Sequence, residues 1–376
     1  MSRSNRPVQK LRLTNFKSFT KLSIDMGRLT ILTGTNSAGK SSVLQALALL
    51  EQSASEADGA LVLNGELVEL GTFEDILFDR VTDGSESDDA EVAIAVKNTS
   101  RVWQAYSGTA QSGSDIVELR DADGTTPIVR PWARLAYIRA DRLGPTVLHT
   151  KSFSAVVNHN QIGPKGEFAA HYLLAHRDRF VDKECRLGDA APTLEAQSAA
   201  WLALLSPDIR LYVSDVDNTS SVTLRFSNGA LAGLSSGRIH RATNVGFGLS
   251  YALPIIVTCL SAAKGDLLLI ENPEAHLHPS GQAVLAELCA RAVAAGAQVV
   301  VETHSDHVLN RIRLSVASGL LRPKDVATYF FRRHDGDATP TVSELTIDEA
   351  GRFSAWPEGF FDEYGDALMA LSNYNG

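Results

Sequence analysis

The sequence has few of the residues that would tie it to an oxidising compartment or to a membrane. Only three cysteines are present, Cys185, Cys259 and Cys289, an odd number without CxxC spacing. Neither a disulfide framework nor a zinc knuckle is therefore predicted, and a reducing cytoplasm is the expected location. The longest apolar run, residues 249–263, is interrupted by Pro254. It falls short of the roughly 18 to 20 residues of a membrane span, and no signal peptide is recognised, so a soluble protein is expected.

Positive charge is also in the minority. The chain carries 35 Lys and Arg against 44 Asp and Glu, a net charge of −9. This balance argues against a uniformly basic nucleic-acid coat, but it leaves a local basic groove open, for instance around Arg311, Arg313, Arg332 and Arg333. With 376 residues, 44% of them hydrophobic, the chain is long enough for one large or two ordinary domains with a real core.

What the sequence does contain is an alternation of strand-like and helix-like segments. An apolar strand, RLTILTG, runs into a glycine turn and the helix KSSVLQALALLEQ, and further on DLLLIE, a helix and QVVVE follow one another. Residues 61–129 read as β-rich, and the middle of the chain reads as helical without the heptads of a coiled coil. The prediction is an α/β fold with a mixed sheet, an antiparallel β subdomain, a helical insert and a short C-terminal cap.

These patterns divide the chain into four predicted segments. They are an N-terminal lobe (residues 1–148), a helical insert (149–208), a C-terminal lobe (209–345) and the cap (346–376).

Residues 34–42, GTNSAGKSS, fit the phosphate-loop pattern G-x-x-x-x-G-K-[ST] between a predicted strand and a predicted helix. Glycines let backbone N–H groups surround a polyphosphate at a helix N-terminus, where the helix dipole favours negative charge. Lys40 is expected to reach the β- and γ-phosphates, and the Ser41 hydroxyl to coordinate Mg²⁺.

Three later segments narrow the class of phosphate-loop protein. Residues 244–255, NVGFGLSYALPI, place glycines and a serine before an apolar helix, which predicts a second phosphate site. DLLLIE ends at Glu271, and VVVETHSDH places His304 just beyond a strand, where an imidazole can approach a γ-phosphate. The order is phosphate loop, signature helix, acidic strand and switch histidine.

In this order the motifs resemble those of ABC-type P-loop ATPase heads, the group that includes RecF, SMC and the OLD nucleases. The sequence looks most like bacterial AAA-family ATPases that end in a small domain of unknown function reading WPxGFFDE, matched by residues 356–363. The resemblance also rests on LTNFKSF, LNGELVELGTFED, YIRADRLGP, NQIGPKGE and IENPEAHLHP, and it covers nearly the whole chain. It implies ATP and Mg²⁺ as cofactors and a homodimer that sandwiches them, and it leaves a higher oligomer open.

The resemblance also implies roles for particular residues. Glu271 would be the Walker B acid that holds the water shell of the metal, and His304 would be the switch histidine. Tyr251 departs from the glutamine expected in this group. The cradle for phosphate and Mg²⁺ would consist of Gly34, Asn36, Gly39, Lys40, Ser41 and Ser42, and the signature that meets the partner's γ-phosphate would consist of Gly246, Gly248 and Ser250.

Asn272 stands where such an ATPase would place its catalytic glutamate. An asparagine side chain cannot accept a proton at neutral pH, so the nearest alternative base is Glu274. Positioning and charge stabilisation carry much of phosphoryl transfer, and slow ATP hydrolysis is therefore favoured over binding alone. Glu271, Glu274 and His304 are the predicted catalytic group.

Other polar residues receive two interpretations. His276 and His278 could bind zinc, but the resemblance places their segment against a partner protomer. Asp215 and Asp217 resemble the metal-binding pair of a TOPRIM nuclease, although no separate α/β unit follows the ATPase. Arg142 is left open between a contact to a phosphate or dimer partner and a plain surface ion pair.

By resemblance, such ATPases act as switches or sensors for a separately encoded nuclease or toxin, commonly in bacterial anti-phage defence. Two alternatives stay open. One is a RecF-like DNA-binding repair ATPase, which predicts salt-dependent DNA binding that needs ATP. The other is an ATP-bound scaffold that does not hydrolyse, an alternative that Asn272 leaves open.

Overall fold

The structure is a computed structural model that describes residues 6–56, 59–78, 91–98, 100, 102–119, 128–228, 239–334 and 336–355. The WPEGFFDE motif and most of the predicted cap lie outside the described residues. The same is true of most of the acidic stretch at 83–91.

The described strands are β1 (Val8–Phe16), β2 (Phe19–Asp25), β3 (Leu29–Gly34), β4 (Ala60–Val62), β5 (Val92–Asn98), β6 (Trp103–Thr109), β7 (Ile116–Leu119), β8 (Leu135–Ile138), β9 (His149–Thr150), β10 (Ile209–Asp215), β11 (Ser221–Asn228), β12 (Ile239–Arg241), β13 (Leu267–Glu271), β14 (Gln298–Glu302), β15 (Val326–Arg332) and β16 (Thr341–Leu345). The described α-helices are α1 (Lys40–Glu56), α2 (Phe73–Ile76), α3 (Ala169–Ala175), α4 (Leu194–Leu205), α5 (Phe247–Leu260), α6 (Pro279–Ala295) and α7 (Asp306–Ala317).

A six-stranded sheet forms the centre of the fold, in the order β16-β15-β3-β14-β13-β8. All neighbours in it are parallel except β16, which pairs antiparallel with β15 at one edge. The carboxyl ends of parallel strands meet at one edge of a sheet, so Gly34, Glu271 and Glu302 gather there. The two predicted lobes share this central sheet, because β3 and β8 come from the first lobe and β13 to β16 from the second.

The central sheet is covered by apolar side chains on both faces. Successive side chains of a strand point to opposite faces. Accordingly, Leu268 and Ile270 of β13 join the core formed with α3 to α7, whereas Leu267 and Leu269 join the core formed with α1 and an antiparallel sheet. Glu271 continues the second series, so its side chain lies on the face that α1 covers.

The antiparallel sheet has the order β2-β1-β5-β6-β7-β4, and a third sheet is built from β10, β11, β12 and β9. The short helices α3 and α4 lie where the helical insert was predicted. The predicted mixed α/β fold with an antiparallel subdomain is confirmed. Among the described residues, no helix is both long and apolar enough to cross a membrane.

Candidate functional site

The phosphate loop connects β3 to α1. Its two glycines at positions 34 and 39 have φ values of 128° and 85°, which residues with a side chain rarely adopt. A Cβ on Gly34 would lie 1.9 Å from the Phe331 carbonyl oxygen of β15. Helix α1 has no acidic residue in its first turn, so its N-terminal N–H groups face no carboxylate from that turn. The loop therefore has the backbone geometry of an anion site.

Lys40 lies inside this loop and is 3% exposed. Its Nζ donates hydrogen bonds to the carbonyl oxygens of Thr35 at 2.6 Å and Gly34 at 3.2 Å. Burial lowers the pKa of Lys40, an effect opposed by the nearby carboxylates of Glu302 and Glu274. The amine is thus held within the loop by two acceptors.

Ser41 and Glu271 lie at the same edge of the central sheet, together with a carboxylate that the sequence reading missed. The Ser41 hydroxyl donates to Oε1 of Glu302 at 3.0 Å. Glu271 accepts hydrogen bonds from the Tyr137 hydroxyl and, at 2.8 Å, from the Ala140 N–H. Glu302 ends the apolar run VVVE as Glu271 ends LLLIE, and this shared pattern was the signal that could have revealed it.

Negative charge accumulates at this edge. Burial, and then the Glu271 carboxylate, raise the pKa of Glu302 to about 7. Burial and Glu271 also raise the pKa of Tyr137. No group of three or more His, Cys, Asp or Glu side chains suited to a metal occurs in the described parts of the chain. The arrangement instead fits Mg²⁺, which takes one or two carboxylates and completes its shell with phosphate oxygens and water.

Asn272 occupies a turn that few residues tolerate. Its φ is 41°, in the left-handed region where asparagine is enriched. Its N–H donates to the Glu302 carbonyl oxygen at 2.8 Å, and its side-chain amide donates to Oε1 of Glu274 at 3.3 Å. Asn272 therefore has a conformational role in this turn, and it also places an amide where a carboxylate was expected.

Glu274 lies against the turn that follows β14. Its Oε1 accepts the His304 N–H at 2.8 Å and its Oε2 accepts the Thr303 hydroxyl at 2.8 Å. Burial and then the charge of Lys40 lower the pKa of His304, and the Glu274 carboxylate and the Gly34 backbone partly oppose this effect. The structure thus brings Glu274 and His304 together beside the phosphate loop.

Arg142 is a buried residue, 3% exposed, so its interpretation as a plain surface ion pair is wrong, whereas a contact to a phosphate or dimer partner stays a prediction. Its guanidinium donates to the carbonyl oxygens of Glu271 and Asn272, each at 2.7 Å. Burial lowers the pKa of Arg142 to about 10. The guanidinium also lies 5.5 Å from the ring centroid of Tyr251 in α5. Arg142 is thus a positioning residue for the turn after β13.

The predicted signature residues lie away from the phosphate loop of the same chain. Helix α5 packs with α3, α4, α6, β8 and β13, whereas α1 packs on β3, β4, β8 and β14. Gly246 is exposed, and a Cβ on Gly248 would approach the His276 carbonyl oxygen to 2.9 Å. Ser250 is buried, and its hydroxyl has no hydrogen-bond partner. The contact predicted between these residues and a partner's phosphate stays a prediction.

The remaining polar candidates have local structural roles. The His276 ring lies 4.5 Å from that of Tyr251, and His278 accepts the Ser280 N–H at the start of α6. Asp215 forms an ion pair with Lys151 at 2.6 Å.

Two of the arginines considered for a basic groove also have partners within the chain. Arg311 is paired with Glu287, and Arg313 donates to the Gly351 carbonyl oxygen. The ion pair argues against a role of Arg311 in a basic groove.

Two cavities adjoin the loop. One of about 180 Å³ is lined by Ser41, Glu271, Tyr137 and parts of the 67–70 and 139–141 loops. The other, of about 260 Å³, is lined by residues that include Lys17, Ser18 and Arg333. Ser18 borders the phosphate loop, since a Cβ on Gly39 would lie 3.0 Å from its Cβ. No sequence motif had marked this second cavity.

The fold and this loop define a P-loop ATPase of the ABC type, and the chain belongs to the AAA ATPase domain family, whose profile matches residues 8–111 and 193–309. A profile described as "Protein of unknown function (DUF3696)" matches residues 321–371. A search of curated proteins finds no match. The predicted membership of an AAA ATPase family is confirmed.

Three solved structures are similar to this chain, and the first of them, with a TM-score above 0.5, bears on the fold. The Smc head domain with an extended coiled coil, bound to the C-terminal domain of ScpA derived from Pyrococcus furiosus, has a TM-score of 0.51 at 16% identity over 98% of this chain and 99% of that chain. The SMC head domain from Thermotoga maritima gives 0.48 at 11% identity over 90% and 99%. The SmcHead bound to the C-winged helix domain of ScpA gives 0.48 at 16% over 91% and 98%. At such identities the likeness concerns the fold.

Proposed function

We propose that this ATPase binds ATP with Mg²⁺ at the phosphate loop, hydrolyses it slowly, and closes a homodimer that switches a separately encoded effector. The observation that carries the proposal is the convergence of Lys40, Ser41, Glu271, Glu274 and His304 around one loop at the carboxyl edge of the central sheet.

The loop and its neighbours supply the contacts for the nucleotide. N–H groups of residues 34–42 and of the first turn of α1 bind phosphate oxygens, and Lys40 exchanges its two carbonyl acceptors for the β- and γ-phosphates. Ser41 and Glu271 hold Mg²⁺ or its water, and the ion supplies neutralisation of the phosphate charge when it is bound. The 260 Å³ cavity next to Lys17 and Ser18 accommodates the base and ribose.

Glu274 orients the attacking water, and His304 donates to the γ-phosphate. Glu274 already accepts hydrogen bonds from Asn272, Thr303 and His304. These donors occupy both carboxylate oxygens of Glu274, so an attacking water must compete with them. This competition, together with an amide at Asn272, favours slow turnover.

A second copy completes the site. Gly246 and Phe247 are exposed at the start of α5, on the face of the central sheet opposite α1. In a homodimer this helix start meets the γ-phosphate held by the other protomer, so ATP binding favours the closed state. An effector nuclease or toxin that acts in anti-phage defence binds the closed dimer. A non-hydrolysing scaffold is the second candidate, and the hydrogen bonds already made by Glu274 favour it.

The test measures phosphate release and ATP-dependent dimerisation of the purified protein in Mg²⁺. Turnover that is lost in Lys40→Ala and Glu274→Gln identifies a slow ATPase that uses Glu274. Dimerisation with ATP but without turnover identifies the scaffold. ATP binding without any dimerisation contradicts the switch, and an effector is supported only if the product of a neighbouring gene co-purifies with wild type in ATP and not with Lys40→Ala.

A further inference from the structure

We infer that Glu302 is a second carboxylate of the metal site, acting beside Ser41, a role that no motif assigns to it. The inference rests on the proposed binding of a nucleotide with Mg²⁺, and it deepens that proposal by naming a further ligand-side residue.

The backbone places Glu302 where such a ligand is needed. Glu302 is the last residue of β14 and the direct parallel partner of Glu271 in β13. In β14, Val299 and Val301 face the core with α3 to α7, while Val300 faces the core with α1. The side chain of Glu302 therefore projects toward α1, on the same face as Glu271.

The side-chain contacts leave one oxygen of Glu302 for a ligand. Oε1 accepts the Ser41 hydroxyl at 3.0 Å, whereas Oε2 is buried without any hydrogen-bond partner. The residue as a whole is 5% exposed. A buried, unpartnered carboxylate oxygen is costly, so a ligand that binds this oxygen would stabilise the folded protein.

The neighbouring groups do not supply the missing partner. Lys40 is close enough to act on Glu302 electrostatically, yet its Nζ donates to the carbonyl oxygens of Gly34 and Thr35. Glu271 is negatively charged, and its two oxygens already accept hydrogen bonds from Tyr137 and Ala140. A cation between Ser41, Glu302 and Glu271 would satisfy the free oxygen and relieve the repulsion between the carboxylates.

The experiment titrates a fluorescent ATP analogue into wild type and Glu302→Gln, once in EDTA and once in saturating Mg²⁺. In Glu302→Gln we expect the gain in affinity on adding Mg²⁺ to fall about 10- to 100-fold. Without metal, the affinity should stay equal or rise, because a negative charge near the phosphates is removed. A merely structural role would weaken binding in both arms.

Matched variants sharpen the result. Glu349→Gln removes an exposed carboxylate and should leave both arms unchanged. Glu302→Asp keeps the charge and should recover part of the Mg²⁺ gain, which also covers the case in which Glu302→Gln does not fold. Ser41→Ala combined with Glu302→Gln should lose less than the sum of the single losses if both residues hold one ion.

If Mg²⁺ raises the nucleotide affinity of Glu302→Gln as much as that of wild type, the inference is overturned and the proposed function still stands. If Glu302→Gln does not fold, the same result for Glu302→Asp has this meaning. Wild-type protein that binds no nucleotide in either arm would overturn both.

Discussion

The phosphate-loop end of the central sheet and the start of α5 are both predicted phosphate sites, yet they are built differently. At the first, Lys40 and Glu274 are held by several hydrogen bonds within one chain. At the second, Gly246 and Phe247 are exposed and the buried Ser250 hydroxyl has no partner. The chain by itself therefore orders the phosphate loop, whereas phosphate binding at the start of α5 stays a prediction that needs a second protomer.

The largest effect is expected when the charge of Lys40 is removed from the phosphate loop. Lys40→Ala deletes a charge-assisted contact to two phosphates, and we expect nucleotide affinity to fall about 100-fold, with turnover lost. Isothermal titration with ATP and Mg²⁺ measures the affinity. Lys324→Ala, which removes an exposed lysine, is the matched control. Unchanged affinity in Lys40→Ala would mean that the loop is not the nucleotide site.

The second test concerns the hydrogen bonds by which Arg142 supports the turn after β13, next to the phosphate loop. Arg142→Ala leaves the carbonyl oxygens of Glu271 and Asn272 without their donor, so we expect a loss of about 2 kcal/mol in the free energy of unfolding. Urea denaturation checks this value. Arg142→Lys keeps a charge but only one donor group, and it should recover part of the loss. Wild-type stability in Arg142→Ala would contradict the positioning role.

The third test compares the effects of substituting Gly246 and Gly248 at the start of α5. Gly248→Ala forces a Cβ against the His276 carbonyl oxygen and should cost about 1 kcal/mol of stability. A Cβ on Gly246 meets no atom within 4 Å, so Gly246→Ala should leave the stability of the monomer unchanged. Analytical ultracentrifugation with ATP should nevertheless show weaker dimerisation of Gly246→Ala. Dimerisation equal to that of wild type would place the partner surface elsewhere.

The smallest expected effect is a pH dependence of stability that arises from His149, which lies outside the phosphate loop and the start of α5. His149 in β9 is buried with neither ring nitrogen hydrogen-bonded, and burial lowers its pKa. The folded protein then binds this proton less tightly than the unfolded chain, so the contribution to stability is present above about pH 6.5 and is lost as the pH falls. Urea denaturation at pH 7.5 and 5.5 should show a smaller drop for His149→Leu than for wild type. Equal drops would contradict the assignment.

Sequence reasoning selected the phosphate loop, Glu271, Glu274 and His304, which lie close together in the fold because motifs at the ends of parallel strands reach the same edge of a sheet. It missed Glu302 because the partner Ser41 is 261 positions away along the chain, and only the fold brings them together. The role of Arg142 was undecided for the same reason, since its acceptors lie at the end of a different strand, β13. Asn272 was interpreted as a lost base, whereas its positive φ depends on the turn that the neighbouring strands impose.

The neighbours of β3 set a condition on how this protein is made. The strand that leads into the phosphate loop lies between β14 and β15, which come from the last third of the chain. The Thr35 N–H donates to the Phe331 carbonyl oxygen at 3.0 Å, so the loop takes its final shape only against β15. A nascent chain therefore carries an incomplete phosphate loop, and the proposed ATP site forms only after β15 has emerged from the ribosome.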